Sequence, residues 1–246
     1  MYSSIFCSSV KILISGFQKS IHEKSALKIY KVHLPSYHNN ISKYKEYLTT
    51  AELEKAERYH FEKDRNRFII CRSFLRLLLS EYIGLEAKDI VIATDENKKP
   101  YLPSHPEVFF NVSHIVEYGL IAISTNPVGV DVENVDREWD YSETAPRIFG
   151  EAELKNLAIT SDKVRLFFTY WTRKEAIVKA TGKGIEDNFI HIPACDGMHL
   201  INPELINNIA NLLVLSFEIE EHFIGTIALV GKIEDIKQLY FSPLPF

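Results

Sequence analysis

The chain has 246 residues, of which 46% are hydrophobic and 25% charged, and this composition is typical of a globular protein with a sizeable core. Its formal net charge of -5 disfavours a general nucleic-acid binder, because phosphate contacts normally need a basic surface. The three cysteines lie far apart without CxxC spacing, which predicts a reducing compartment and no metal cluster. Any anion-binding site is therefore expected to be local.

Neither end of the chain predicts a membrane segment. The apolar runs, such as residues 223–230, are much shorter than the ~20 residues that a membrane-spanning helix needs. The opening stretch "MYSSIFCSSVKILISGF" is broken by Lys11 and lacks a clean cleavage site, so it predicts a strand rather than a signal peptide. We therefore expect a cytoplasmic protein that binds neither membranes nor nucleic acid.

The first half of the chain predicts alternating strands and helices. A strand is expected over residues 28–34, and a short helix opened by a threonine cap over residues 50–58. Helical spacing of apolar residues predicts a long helix over residues 63–82, which Gly84 closes. Short strands are then predicted in "DIVIATDENKKPYL", "EVFFNVSH", "YGLIAIS" and "VGVDVE".

The second half repeats this plan in outline. A long helix over residues 164–180, closed by Gly182, precedes strands at residues 212–220 and 223–230. The strand "EHFIGTIALV" is similar to "EYGLIAIS" of the first half, which indicates two related subdomains joined near Pro127. Chance similarity between two apolar strands is the alternative.

Two carboxylates mark the segment "GVDVE". If the segment is a strand, its valines face the core while Asp131 and Glu133 point together to the other side. Two carboxylates on one face repel each other. The arrangement is tolerable when the face is open to water, and it is favourable when a hard divalent cation lies between the two groups. The pair alone therefore allows either a solvated strand face or a magnesium site.

The segment "WTRKEAIVKATGKG" predicts an amphipathic helix that ends in a glycine turn. Trp171, Glu175 and Lys179 share one face of this helix through i, i+4 spacing. Glu175 and Lys179 could form a surface ion pair worth about 0.3–0.5 kcal/mol. They could equally supply a third metal carboxylate and a phosphate-binding lysine, and the spacing does not choose between these alternatives.

Together these segments resemble the paired signature of the 4′-phosphopantetheinyl transferases, (V/I)G(V/I)D(V/I)E followed by WxxKEAxxKxxGxG. Upstream, "RYHFEKDRNRF", "KKPYL" and "NVSH" are similar to further segments of that family in the same order, so the resemblance covers roughly residues 50–190. By length the chain is similar to the monomeric type that activates surfactin synthetase. The matching signature positions are Gly129, Asp131, Glu133, Trp171, Lys174, Glu175, Lys179, Gly182 and Gly184.

The resemblance implies an α+β fold of two similar subdomains, residues 1–126 and residues 127–246, related by a pseudo-twofold axis with the active site at their junction. It implies transfer of the 4′-phosphopantetheine arm of coenzyme A to a serine hydroxyl of an apo acyl or peptidyl carrier protein. Adenosine 3′,5′-bisphosphate is the second product. Mg²⁺ is the implied cofactor, coenzyme A is the co-substrate, and a monomer is expected.

Catalytic roles follow from the same resemblance. Asp131, Glu133 and Glu175 are the implied magnesium ligands, since a pyrophosphate ester resists attack until its charge is neutralised. Glu175, or a metal-bound water that it positions, is the implied base for the serine hydroxyl. Lys179 would neutralise the pyrophosphate and stabilise the leaving bisphosphate.

The 3′-phosphate of coenzyme A needs donors of its own. The resemblance implies Lys99 and His114 for this task, with Ser113 nearby and Arg72 from the first long helix. Arg72 could instead be an ordinary charge on a helix face, and a lone histidine such as His114 is more often structural than a ligand.

Two further positions are implied, and three depart from or extend the pattern. Pro100 would shape the adenine edge, and Lys55 lies where the family often has another phosphate-contacting lysine. Lys98 stands where the family usually has a glycine, and Ile115 stands where a small polar residue is common. Glu153 resembles a glutamate found near the metal in some members, or is a polar residue on an amphipathic helix.

Two other functions compete with the transferase. One is a carrier-protein or nucleotide binding module without turnover, which would have no need for all four of Asp131, Glu133, Glu175 and Lys179. The other is a magnesium-dependent phosphoanhydride hydrolase, which would not need 3′-phosphate contacts around His114. The sequence does not identify the carrier protein.

Overall fold

The computed structural model describes residues 2–14, 27–136, 140–184, 189–231 and 239–245. Residues 1 and 15–17 of the predicted opening strand lie outside these ranges. The described helices are α1 (Ile41–Lys45), α2 (Thr50–Glu57), α3 (Glu62–Ile83), α4 (Ala145–Ile148), α5 (Glu151–Ile159) and α6 (Lys163–Thr181). The described strands are β1 (Ser3–Ser9), β2 (Ile12–Ile14), β3 (Leu27–His33), β4 (Ala93–Thr94), β5 (Pro100–Tyr101), β6 (Phe109–His114), β7 (Tyr118–Ser124), β8 (Val128–Asn134), β9 (Gly197–Ile201), β10 (Asn211–Glu220), β11 (Phe223–Val230) and β12 (Leu239–Phe241).

Most strands lie in two sheets of five strands, and β4 and β5 form a separate hairpin. One sheet has the order β2-β12-β3-β7-β6, and the other has the order β8-β11-β10-β1-β9. The runs β12-β3-β7-β6 and β1-β10-β11-β8 repeat each other, because each begins with a parallel pair and continues with two antiparallel pairs. The α+β class is confirmed, and this repeat is the structural counterpart of two similar subdomains.

The first and the last described strands, β1 and β12, each pair with strands from the other half of the chain. Strand β1 pairs with β10 and β9, which come from the second half of the chain, whereas β12 pairs with β3 of the first half. A division into residues 1–126 and 127–246 therefore remains a prediction, and each terminal strand lies beside strands from the opposite half.

The predicted helix ends are confirmed by their caps. Thr49 and Glu52 form a reciprocal capping box at the start of α2, an arrangement that stabilises a helix by about 1 kcal/mol. Gly84 and Gly182 end α3 and α6 with φ angles of 73° and 69°, which lie in the left-handed region that glycine adopts without steric cost. Among the described residues, no helix is both long enough and apolar enough to span a lipid bilayer.

Each sheet is covered by one long helix. Helix α3 buries Phe74 and Leu78 in a cluster that includes Ile121 of β7. Helix α6 buries Ala176 and Ile177 in a separate cluster with strands β1 and β10. A third cluster joins the two sheets directly through side chains such as Val130, Leu120 and Ile227. Apolar burial contributes about 25 cal/mol per Å² to stability. The cluster on α6 and the cluster between the sheets therefore hold α6 in a defined position relative to both sheets.

Helix α6 lies so close to Gly129 of β8 that no residue with a side chain would fit at this position. A Cβ atom at position 129 would lie 2.1 Å from the carbonyl oxygen of Ala176 and 2.4 Å from the amide nitrogen of Ala180. Both are backbone atoms, so a side chain could be accepted only if the helix moved. The glycine therefore sets the distance between α6 and the strand that carries Asp131.

We expect Gly129→Ala to lower the free energy of unfolding by about 3 kcal/mol, the upper end of the usual cost of overpacking, because the new methyl group would clash with backbone atoms in the core. Urea denaturation measures this change. An unfolding free energy within about 0.5 kcal/mol of the wild-type value would show that α6 does not depend on this close contact.

Candidate active site

Strands β6 and β8 are edge strands of different sheets, and they lie next to each other. Asn111 of β6 connects them, since its side-chain oxygen accepts a hydrogen bond of 2.9 Å from the backbone amide of Val130. Both residues are buried. This bond satisfies an edge amide that would otherwise lack a partner and places the motif "NVSH" beside the motif "GVDVE".

Asp131 is the residue on which three elements meet. Its Oδ1 atom accepts a hydrogen bond of 2.7 Å from the hydroxyl of Ser113 on β6. The same oxygen lies 2.6 Å from the ammonium group of Lys179 on α6. Lys179 also donates to the carbonyl of Val130 and to the Ser113 hydroxyl at 3.3 Å. The structure therefore brings together one residue from each of three predicted motifs.

The second carboxylate oxygen of Asp131 has no hydrogen-bond partner although it is buried. A buried acceptor without a partner normally costs about 1–3 kcal/mol, more when it is charged, so such atoms are rare unless a ligand or ion satisfies them. A carboxylate oxygen is a preferred ligand of Mg²⁺. The chemistry of this atom and its lack of a partner thus fit the predicted magnesium site.

Glu175 is buried on the same helix as Lys179. Desolvation raises the pKa of Glu175 above its ordinary value; the charge of Lys179 opposes the shift and that of Asp131 adds to it. Glu133 is half-buried at the end of β8. Among the described residues, no three histidine, cysteine, aspartate or glutamate side chains are grouped so that they could hold a metal ion. The predicted carboxylates therefore do not form a preassembled triad, and their joint role remains a prediction.

His114 follows Ser113 at the end of β6. Part of this residue is open to solvent, but desolvation by the surrounding protein lowers the pKa of its imidazole below the ordinary value. The positive charges of Arg67 and Lys179 lower the pKa of His114 further. Two cations therefore lie near this histidine, as expected at a site that binds an anion.

Arg67 of α3 is the functional candidate that sequence reasoning missed. Its Nη2 atom bonds Asp64 at 2.9 Å, while its Nε atom is buried and has no hydrogen-bond partner. An unpartnered guanidinium donor beside His114 fits a phosphate oxygen. The arginine-rich run "RYHFEKDRNRF" was the available signal, but the run does not show which arginine faces β6.

Arg72 and Lys55 occupy different surroundings from those predicted for phosphate ligands. The Nε atom of Arg72 lies 3.2 Å from Glu52, the residue that caps α2. The ammonium group of Lys55 lies 5.3 Å from the ring centre of Phe68, within the range of a cation–π contact. Arg72 thus forms an ion pair with Glu52. The roles of both residues as coenzyme ligands remain predictions.

Lys99 and Pro100 lie in a groove at the end of α6. The groove has a volume of about 620 Å³, and Ala180 and Gly182 also line it, whereas His114 and Asp131 do not. The ammonium group of Lys99 donates a hydrogen bond of 2.6 Å to the carbonyl of Ala180. The structure thus places Lys99 and Pro100 beside the end of α6, in a groove that the side chains of Asp131 and His114 do not line.

Glu153 lies at a buried ion pair instead of beside Asp131. One of its oxygens lies 3.6 Å from the ammonium group of Lys174 and accepts a hydrogen bond from the amide of Ala194. Burial lowers the pKa of Lys174 to about 8, while Glu153 opposes that shift. These contacts join α5 to α6, and Glu153 is a buried residue with a charged partner.

We expect Arg67→Met to raise the pKa of His114, because the substitution removes a positive charge that disfavours the imidazolium ion. A pH titration of the histidine ring signals by NMR measures the shift. Lys63→Met, which removes an exposed cation of the same helix, is the matched control and should leave the pKa of His114 unchanged. Equal effects of the two substitutions would show that Arg67 does not face His114.

The sequence models of two protein families match adjoining parts of the chain. Residues 127–223 match the sequence model of the 4′-phosphopantetheinyl transferase superfamily. Residues 31–126 match the model described as 4′-phosphopantetheinyl transferase, N-terminal. The two matches contain every site residue discussed above.

Curated relatives carry the same description. The chain is 35% identical over 144 residues to the 4′-phosphopantetheinyl transferase HetI of Nostoc sp. (strain PCC 7120), a match that covers 56% of this chain and 61% of that protein. It is 27% identical over 164 residues to the 4′-phosphopantetheinyl transferase Sfp of Bacillus subtilis (strain 168), with coverage of 65% and 72%. The matched region of the chain thus spans about three fifths of HetI.

Among solved structures, a holo-(acyl-carrier-protein) synthase from Bacillus anthracis str. Ames in complex with CoA (3′,5′-ADP) aligns at a TM-score of 0.34 and 21% identity. The alignment covers 40% of this chain and 93% of that chain. The family matches rest on the sequence itself, and they run without a gap from residue 31 to residue 223. On this evidence the chain belongs to the 4′-phosphopantetheinyl transferase superfamily.

Proposed function

We propose that this protein transfers the 4′-phosphopantetheine group of coenzyme A to a serine hydroxyl of an apo carrier protein and releases adenosine 3′,5′-bisphosphate. The observation that carries the proposal is the meeting of Ser113, Asp131 and Lys179 at 2.6–2.7 Å around a single carboxylate oxygen. These residues come from three separate motifs, and they meet at the junction of two sheets. The names of the curated relatives support the same activity.

Asp131, with Glu175 and Glu133, would hold the Mg²⁺ ion. The unpartnered oxygen of Asp131 is the strongest support for this assignment. When bound, the ion supplies charge neutralisation at the pyrophosphate of coenzyme A. Ser113 and Lys179 both bond the other oxygen, so they fix the orientation in which Asp131 presents its free atom.

Glu175 is the proposed general base. Glu175 is buried beside the charges of Lys179 and Asp131, where it would accept the proton of the attacking serine directly or through a water that it positions. Its position one helical turn from Lys179 keeps it beside the charges of the cluster. The base therefore acts where the leaving phosphate is also bound.

Lys179 and the pair of Arg67 and His114 are the proposed anion-binding groups. The Lys179 side chain remains 27% exposed while it bonds Asp131, and its ammonium group would also bind a pyrophosphate oxygen. Arg67 and His114 would bind the 3′-phosphate, because the free Nε of Arg67 and the imidazole can both donate to it. This role for Arg67 adds to the ligands that the resemblance implies.

Intact mass spectrometry of an apo carrier protein tests the proposal. Incubation with this protein, coenzyme A and Mg²⁺ should add one phosphopantetheine to the carrier, and omission of the metal should prevent the addition. Bound coenzyme A without any transfer to acyl or peptidyl carriers would favour a binding module. Cleavage of coenzyme A without carrier modification would favour a hydrolase.

A substitution of the base refines this test. Glu175→Gln should lower kcat by about 10²–10⁴-fold, because the amide cannot accept the serine proton. Glu81→Gln, at an exposed position of α3, is the control and should transfer at the wild-type rate. Normal transfer by Glu175→Gln would refute the assigned role.

A further inference from the structure

We propose that the turn between β4 and β5, residues 95–99, is a latch that holds the C-terminal end of α6, and that Lys99 is a positioning residue. For its catalytic consequence this inference rests on the proposed function, because α6 carries Glu175 and Lys179. It differs from the role implied by the resemblance, in which Lys99 binds the 3′-phosphate.

Two side chains of the turn bond carbonyls at the end of α6. The ammonium group of Lys99 donates to Ala180 at 2.6 Å, and the amide group of Asn97 donates to Gly182 at 2.7 Å. The last carbonyls of a helix have no partner within the helix and carry partial negative charge, so an ammonium group stabilises them. The turn therefore supplies donors that α6 itself lacks.

The turn is shaped in advance for this contact. The Oδ1 atom of Asp95 accepts hydrogen bonds from the backbone amides of Asn97 and Lys99 at 2.9 and 2.8 Å. Lys98 between them has a φ angle of 63°, a left-handed conformation that costs a lysine about 1–2 kcal/mol. Lys98 thus keeps the backbone shape that the usual glycine of the family would allow, and neighbouring contacts must offset its strain.

The contact leaves little free space, and a further residue outside the turn also bonds this end of the helix. A Cβ atom at Gly182 would lie 3.3 Å from the Cδ atom of Lys99, which shows how closely the lysine stem packs on the glycine turn. Burial lowers the pKa of Lys99 to about 8. Asn207 donates a further hydrogen bond of 2.8 Å to the carbonyl of Thr181. Three consecutive carbonyls, those of residues 180–182, are therefore held from outside the helix.

The latch lies directly beside a residue of the site. Lys179 precedes Ala180, and its ammonium group must reach Asp131 at 2.6 Å. Productive geometry in active sites depends on displacements of less than about 1 Å. A loose helix end would therefore move Lys179 relative to Asp131 and lower the rate of the chemical step, while the contacts to the 3′-phosphate would stay intact.

The test compares Asn97→Ala, Lys99→Met and Lys99→Arg with the wild type in two measurements. Hydrogen exchange of the amides of residues 176–182 should become at least about 10-fold faster in Asn97→Ala and Lys99→Met. In transfer assays these two variants should lose about 10-fold in kcat and keep the wild-type preference for coenzyme A over dephospho-coenzyme A. Lys99→Arg keeps a donor and should restore most of the exchange protection and of kcat.

Exposed positions of the same half of the chain provide matched controls. Asn40→Ala and Lys88→Met remove the same side-chain types at exposed sites and should leave the amide exchange of α6 unchanged. Should Lys99→Met fail to fold, the exposed Asn97→Ala still tests the latch.

Two results would overturn the latch. One is unchanged exchange at residues 176–182 in both Asn97→Ala and Lys99→Met. The other is a raised KM for coenzyme A together with a lost preference over dephospho-coenzyme A in Lys99→Met, which would assign Lys99 to the 3′-phosphate. If the wild type transfers nothing but the variants exchange faster, the latch stands and the proposed function fails.

Discussion

The bond between Asp131 and Lys179 is the interaction on which the site depends. It connects β8 to α6, and Ser113 adds β6 through the same carboxylate oxygen. The bond can form only because Gly129 lets the backbone of α6 approach the strand. A single short contact between helix and strand thus brings residues from both sheets to one point.

The negative charges of the site are only partly compensated within the protein. Buried carboxylates are costly unless they are paired, and Lys179 compensates only one oxygen of Asp131. Glu175 is a second buried carboxylate, and desolvation is the main cause of its raised pKa. A divalent cation would satisfy both groups, and it would in turn attract the pyrophosphate. Under the proposed function, Arg67 and His114 would provide a separate set of donors for a second phosphate.

Local patterns in the sequence predicted most elements, because caps and alternation act over a few residues. The residues around Asp131 were expected from the family resemblance of the three motifs, since spacing alone left their roles open. The long helices α3 and α6 end at the predicted glycines. Arg67 and the partner of Lys99 were not predictable in this way, since they depend on how α3 and the β4–β5 turn pack against distant elements. The pairing of β1 and β12 with strands of the opposite half is likewise set by tertiary contacts.

The most direct test of the central claim is binding of Mn²⁺, a spectroscopic substitute for Mg²⁺, measured by electron paramagnetic resonance without coenzyme A or carrier protein. We predict one bound ion for the wild type and affinity at least about 10-fold weaker for Asp131→Asn. Asp89→Asn, at an exposed position, should bind like the wild type. Equal affinity in Asp131→Asn and the wild type would contradict the account, because the free oxygen of Asp131 would then hold no metal.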